Sequence, residues 1–274
     1  MDAAEIVRLA NYRRADVITM IHEANTGHTG GALSALDILS VLYYDVLNVR
    51  PQEPHWPDRD RFLLSKGHSV EGYLALLADR GFFPVEELRS FSKAGSRLIG
   101  HPSNKVPGVE INAGALGHGL SIGVGMALGA KRGNDVFRTF VLMGDGELAE
   151  GSVWEAAMAG SHYRLDNLVA IVDRNGLQIS GSTESVMTLE VLPAKWRAFG
   201  WEVTTMNGHD VPALIQYFHG LQANGKPHCL IANTVKAKGL PFAENDPSWH
   251  HKVPNAEQLQ AGYAALGVKG VPWV

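Results

Sequence analysis

Two short apolar runs, each opening into a loop of glycine and oxygen-bearing side chains, constrain this chain most. Thr139–Met143 leads into Gly144-Asp145-Gly146, and Leu168–Val172 leads into Asp173-Arg174-Asn175-Gly176-Leu177. Continuous apolar runs of this length predict parallel strands buried on both faces. Ligands of an open α/β sheet collect beyond the carboxyl ends of such strands. Asp145 and Asn175 are therefore expected to face one crevice. A carboxylate, an amide oxygen and a nearby backbone carbonyl, for which Leu177 is the candidate, make an oxygen-only set suited to Mg²⁺ or Ca²⁺. Gly144 and Gly146 permit close approach of a phosphate, and a helix N-terminus just after them is expected to add N–H dipoles. The implied chemistry is a diphosphate bridged by a divalent cation.

Around these runs, strands and helices alternate. Residues 3–23 read as a helix, ending at the glycine-rich loop Asn25–Gly31, and a second helix is expected over Ala32–Leu47. Phe62–Ser65 reads as a strand leading into Lys66-Gly67-His68 and a helix to Arg80. Pro84 opens another helix at a favoured first-turn position. Ala113–Gly119 enters a small-residue helix to about Lys131, and a further helix covers about Ala149–Tyr163. Leu189–Phe199 reads as helical and Trp201–Met206 as a strand. A helix capped by Asp210 runs to Ala223, and His228–Val235 is the last strand. The loop 236–254 is long enough to suggest function or a partner surface, and a final helix covers about Asn255–Leu266. The expected fold is α/β: a doubly wound, mostly parallel sheet flanked by helices, forming one domain over residues 1–274.

Composition narrows the setting. A net charge of −4 without a basic run argues against nucleic acid as a partner. No apolar segment reaches the ~18–20 residues that cross a bilayer. The N-terminus lacks a basic-then-apolar signal pattern. The single cysteine, Cys229, excludes an internal disulfide and fits a reducing compartment. A cytoplasmic protein without a membrane partner is the expectation. Of the 30 glycines, 12 fall between Gly100 and Gly151, interleaved with Ala, Leu and Ile, which marks backbone packed close against something rather than a flexible linker.

Gly144-Asp145-Gly146, followed by Asn175 thirty residues after Asp145, resembles the thiamine diphosphate signature. Together with three histidine loops in the right order, it is similar to the amino-terminal, diphosphate-binding domain of the transketolase family from about Ala10 to Pro254. The resemblance implies thiamine diphosphate with Mg²⁺ (or Ca²⁺) as cofactors, the metal being held by Asp145, Asn175 and Leu177. It implies that His28 (Thr-Gly-His-Thr-Gly) and His101 (Gly-His-Pro) contact sugar hydroxyls, and that His68 (Ser-Lys-Gly-His) lies against the diphosphate. His250, in Trp-His-His-Lys, aligns with another family histidine if His251 replaces a glycine. Gly114 and Leu116, in Gly-Ala-Leu-Gly-His-Gly, match the loop that touches the pyrimidine–thiazolium region. The family commonly has Pro at Ala115 and Gln at His118. Gly144, Gly146 and Glu150 complete the cofactor-binding set, with Glu150 also a catalytic candidate beside His28, His101 and His250. Glu150 and Glu155 match family carboxylates near the subunit interface. Glu147 reads as a first-turn acid favoured by the helix dipole, and Lys236 and Lys238 as lysines within reach of substrate or phosphate.

The resemblance covers the first of three family domains. The glutamate that activates the cofactor, and most of the sugar-phosphate clamp, belong to the second. A split enzyme is therefore expected, in which a separate carboxyl-terminal subunit supplies the pyrimidine domain, assembled as a heterotetramer and acting on a sugar phosphate. The rivals are the α subunit of a 2-oxo acid dehydrogenase or decarboxylase, which shares the Gly-Asp-Gly…Asn core, and a non-catalytic paralogue. The order of the histidine loops favours transketolase.

Overall fold

Successive strand residues in this protein point into two separate cores. The computed structural model describes residues 1–271 and 273. Five strands, β1 (Arg61–Leu64), β2 (Thr139–Gly144), β3 (Leu168–Arg174), β6 (Glu202–Asn207) and β7 (His228–Asn233), form a parallel sheet in the order β1-β2-β3-β7-β6. Between β3 and β6, β4 (Leu177–Gln178) and β5 (Gly181–Ser182) pair as a small antiparallel ribbon. Phe140, Leu142, Val169, Ile171, Leu230 and Ala232 enter a core shared with the helices Ala3–Ala24, Leu36–Val41, Val70–Asp79 and Val211–His219. Val141, Met143, Ala170, Val172, Cys229 and Ile231 enter the other, shared with Gly119–Gly133, Gly151–His162 and Leu192–Ala198. Burial on both faces explains why the central strands read as unbroken apolar runs. The fold is the doubly wound α/β arrangement expected.

Register brings the functional loops to one rim. Gly144 pairs with Asp173, and Asp173 pairs with Ala232. The chain therefore leaves β2, β3 and β7 at the same level, and β1 ends beside them at Leu64.

Several element boundaries differ from the sequence reading. The helix expected over Ala32–Leu47 is two short helices, Thr29–Ser34 and Leu36–Val41, followed by a π-helical turn at Leu42–Val46. It starts at Thr29 because Gly30 and Gly31 do not break it. A Cβ on Gly30 would meet the Trp249 carbonyl at 2.8 Å, so the glycine serves close packing against the long loop. Val85–Ser90 after Pro84 is a 3₁₀ helix rather than an α-helix. Ala113–His118 is the loop expected, and the helix it enters at Gly119 runs on to Gly133, two residues past Lys131. Gly146–Ala149 after Gly-Asp-Gly is a 3₁₀ turn, and the α-helix begins only at Gly151. The helix capped by Asp210 stops at His219, four residues before Ala223.

One buried ion pair fastens the long loop to the body. Arg14 donates to Asp37 at 2.7 Å and to the Lys238 carbonyl at 3.1 Å. The Val235 N–H donates to His209 Nε2 at 2.8 Å, which leaves His209 Nδ1 to donate to Asp37 at 2.7 Å. Burial pushes the Asp37 carboxyl up, but the Arg14 charge and the His209 bond outweigh it and bring it down to about 2. A carboxyl held below its unfolded value adds stability above that value and loses it as pH falls through the folded one. Asp37→Asn should therefore lower unfolding stability by about 2 kcal/mol at pH 7. Denaturant titrations should show the gap to wild type closing between about pH 4 and about pH 2.

Candidate active site

Beyond the rim lies a cleft of about 340 Å³, within the usual range for a small-ligand site. Gly144, Asp145 and Gly146 line it from the end of β2, Asn175 and Leu177 from the end of β3, and Lys236 from beyond β7. The oxygen set expected from sequence thus shares one cleft. Asn175 Oδ1 accepts from the Leu177 N–H at 3.1 Å, a turn that holds the two ligands together. The Leu177 carbonyl faces the cleft, where it accepts from the Lys236 ammonium at 3.4 Å, so a cation bound there would displace that bond. Burial and the like charge of Asp173 push the Asp145 carboxyl up, against bonds from Gly176 and Arg174, so a further positive charge at this carboxylate is favoured. Among the described residues no trio of His, Cys, Asp or Glu is disposed to hold a metal by itself. A cation here would draw on Asp145, Asn175, Leu177 and its own bound ligand, which suits Mg²⁺ or Ca²⁺ carrying phosphate oxygens.

The phosphate-facing dipoles expected from sequence are not free. The Gly144 N–H donates to Glu147 Oε2 at 3.1 Å, and the Gly146 N–H donates to Asp145 Oδ1 at 2.8 Å. The following α-helix is displaced beyond the 3₁₀ turn, with Glu150 at its N-cap position. Positive charge comes instead from Lys236, brought down to about 8 by burial and by the Lys66 charge.

Glu147 is not the exposed first-turn acid read from sequence. The 3₁₀ turn rotates it inward, where it is buried. Its Oε1 accepts from the Gly117 N–H at 2.8 Å and from the Ser65 hydroxyl, and its Oε2 holds Gly144. One carboxylate therefore joins the loops after β1 and β2 to the loop before the helix Gly119–Gly133. Deeper still, the Lys66 ammonium donates to Asp173, which also accepts from the Ser34 hydroxyl at 2.6 Å and from the Thr234 hydroxyl.

Imidazoles gather on the other side of the cleft. His28 lies 5.8 Å, ring centroid to ring centroid, from each of His68, His101 and His250, and His68 lies 5.1 Å from His250. His68, His101 and His250 line the cleft, with Gly114 and Leu116 beside them, and His28 stands at its margin. His250 and its neighbour His251 differ in burial. His250 is half-buried with Nδ1 3.2 Å from the Lys236 ammonium, whereas His251 is exposed and packs edge-on against His28 at 4.6 Å. Burial and the Lys66 charge push His68 well down, burial and His28 push His101 down, and burial and Lys236 bring His250 to about 3. Near neutral pH these three rings are uncharged, so they give and take hydrogen bonds as a set able to read hydroxyls.

Other candidates stand outside the cleft. Glu150 is exposed at the N-cap of Gly151–His162, next to Gly117, and Glu155 is exposed on the same helix. His118 is exposed, its Nδ1 3.0 Å from the Leu116 carbonyl, and the Lys238 ammonium lies 3.6 Å from Glu244. Sequence reasoning missed Gln178, Ile179 and Ser180, which line the cleft from the ribbon. It also missed Arg174, which donates to Asp145 at 3.1 Å, to Glu184 at 2.8 Å and to Glu190 at 3.1 Å. Only the neighbouring Asn175 hinted that Arg174 belonged to the site.

A doubly wound sheet whose carboxyl rim carries an oxygen-donor set, Lys236 and an imidazole-lined cleft has the architecture of a domain that binds a phosphorylated cofactor. Comparison with known proteins gives the family. Residues 6–272 match the family described as transketolase, thiamine diphosphate binding domain. The chain is 50% identical over 248 residues to an apulose-4-phosphate transketolase subunit of Phocaeicola vulgatus, covering 90% of this chain and 88% of that protein. It is 38% identical over 263 residues to 6-deoxy-6-sulfo-D-fructose transketolase subunit SqwG of Clostridium sp. strain MSTE9, covering 95% and 96%. The crystal structure of transketolase from Campylobacter jejuni superposes with a TM-score of 0.93 at 31% identity, covering 98% of this chain and 43% of that one. The chain belongs to the transketolase family, and its match is to the thiamine diphosphate binding domain of that family.

Removing the Glu147 carboxylate strands two buried N–H donors. Glu147→Ala should lower unfolding stability by about 3 kcal/mol, and Glu147→Gln by less because one acceptor remains. Chemical denaturation of the isolated subunit measures both.

Proposed function

We infer that this chain is the thiamine diphosphate-binding subunit of a two-subunit transketolase. The enzyme would transfer a two-carbon ketol unit from a ketose phosphate to an aldose or aldehyde acceptor. The observation that carries this reading is the meeting, in one cleft, of the Asp145–Asn175–Leu177 oxygen set with the imidazoles of His68, His101 and His250, against which His28 packs. Asp145, Asn175 and the Leu177 carbonyl would hold Mg²⁺ or Ca²⁺, and Lys236 and His68 would face the diphosphate, with Gly144 and Gly146 beside it. Gly114 and Leu116 would touch the rings of the cofactor. Thiamine diphosphate, when bound, supplies a carbon nucleophile and an electron sink for the ketol unit.

The chain's own side chains orient and exclude. His28, His101 and His250 would hydrogen-bond the hydroxyl and carbonyl oxygens of the sugar. Burial keeps His101 and His250 uncharged near neutrality, which suits reversible proton sharing with those oxygens. Glu150, exposed beside Gly117, is placed to meet the partner rather than the substrate. The pyrimidine-domain subunit would close the cleft, giving a cytoplasmic heterotetramer in which residues 1–274 act as one unit. Among the described residues no helix is long and apolar enough to cross a membrane. The two curated relatives are named for different sugars, so the donor panel should include apulose 4-phosphate and 6-deoxy-6-sulfo-D-fructose beside common ketose phosphates. Pyruvate belongs in the same panel, because turnover of pyruvate without turnover of any ketose would favour the 2-oxo acid reading.

A unit-charge pair at ~4 Å and an effective dielectric near 20 is worth roughly 4 kcal/mol. Asp145→Ala should therefore weaken Mg²⁺-dependent thiamine diphosphate binding more than Asn175→Ala, as read by calorimetry on the reconstituted pair. The isolated subunit should bind the cofactor weakly and turn over no ketose, since half a site leaves the reactive ring unoriented. Turnover of a ketose phosphate by this chain alone would sink the shared-site reading.

A further inference from the structure

Behind the histidine cluster lies a carboxylate that ketol transfer, as assigned to the cleft residues, does not use. Glu71, on the helix Val70–Asp79, is fully buried. Its Oε1 accepts the His28 main-chain N–H at 2.8 Å, and no other hydrogen bond reaches the side chain among the described residues. Its Oε2 and the His28 Nδ1 are both buried without a hydrogen-bond partner, and Nδ1 lies 3.7 Å from Oε1. The approach is built into the backbone. Gly27 carries the chain past the carboxylate with φ +149°, and a Cβ there would meet Oε1 at 2.8 Å. A buried carboxylate with a single neutral bond is costly, so its location against one particular imidazole calls for a function.

We propose that Glu71 is a positioning residue for ketol transfer, an inference that rests on the proposed transketolase reaction. Its carboxylate takes the Nδ1–H of His28, fixes that tautomer and turns Nε2 toward the sugar as a hydrogen-bond acceptor. The imidazoles facing His28 are His68, His101, His250 and His251, and among the described residues none of these four has a carboxylate within ion-pair distance. The nearby cations, Lys66 and Lys236, act on His68 and His250. His28 is thus the one ring of the cluster whose tautomer is set from behind, as a carboxylate sets that of a functional histidine. His251 covers the outer edge of His28, so the ring is held between a buried acid and an exposed imidazole.

The test begins with the isolated subunit, labelled with ¹⁵N-histidine. Long-range ¹H–¹⁵N spectra at neutral pH should show His28 as the Nδ1–H tautomer in the wild type and as a mixture in Glu71→Gln. The two proteins should have equal thermal midpoints. In the complex with its partner, loaded with cofactor, Glu71→Gln should lower kcat/KM for a ketose donor about 10-fold to 100-fold. It should cause no further loss in a His28→Ala background. A wild-type His28 in the Nε2–H form, or equal losses from Glu71→Gln with and without His28, would overturn the proposal. If the pair turns over no ketose at all, the spectra still decide the pairing of Glu71 with His28, and the failure lies with the assigned reaction.

Discussion

The ion pair between Lys66 and Asp173 is the contact on which the rim of the sheet depends. Lys66 follows β1 and Asp173 lies within β3, with β2 between them, and the Ser34 and Thr234 hydroxyls close the remaining acceptor positions. Burial alone would push the Asp173 carboxyl up, yet the ammonium and these hydroxyls hold it below the ordinary carboxylate range. Such a pair adds little net stability compared with an apolar replacement, but removing one partner leaves an uncompensated charge costing about 3–5 kcal/mol. Its consequence here is geometric. It sets the depth from which Asp145, Asn175 and Lys236 emerge into the cleft.

Above that pair the cleft divides electrostatically. At one end a single carboxylate, an amide oxygen and a carbonyl face a lysine. At the other end burial keeps the imidazoles of His68, His101 and His250 neutral. The first arrangement is suited to a charged ligand, and the second to hydroxyl groups. Arg174 joins the charged end to Glu184 and Glu190, so the segment after the ribbon is tied to the same carboxylate as the cation site.

Much of this was legible in the sequence, for local reasons. A strand buried on both faces must be apolar along its length, and the polar residue ending it must lie at the rim, so Asp145 and Asn175 could be placed without coordinates. The histidines were readable because each stands in its own short segment in a recognisable order. Glu147 was misread because an acid in a first turn looks the same whether it points out or in, and a 3₁₀ turn decided the matter. Lys66 with Asp173, and Glu71 with His28, pair across 107 and 43 residues, and only the folded chain brings them together. Gly30 and Gly31 look like breakers in sequence, but they are contact surfaces inside a helix.

The cleft and its supporting pairs crowd one rim of the sheet, and the turns at the opposite rim stand clear of them. There the turn 133–138 and the turn 221–227 feed β2 and β7, and Val136 is 80% exposed. Exposed turns of this kind tolerate inserted sequence well. They offer attachment points for a fluorophore, an immobilising tether or a fusion linking this chain to its other half, with the open face of the cleft left clear.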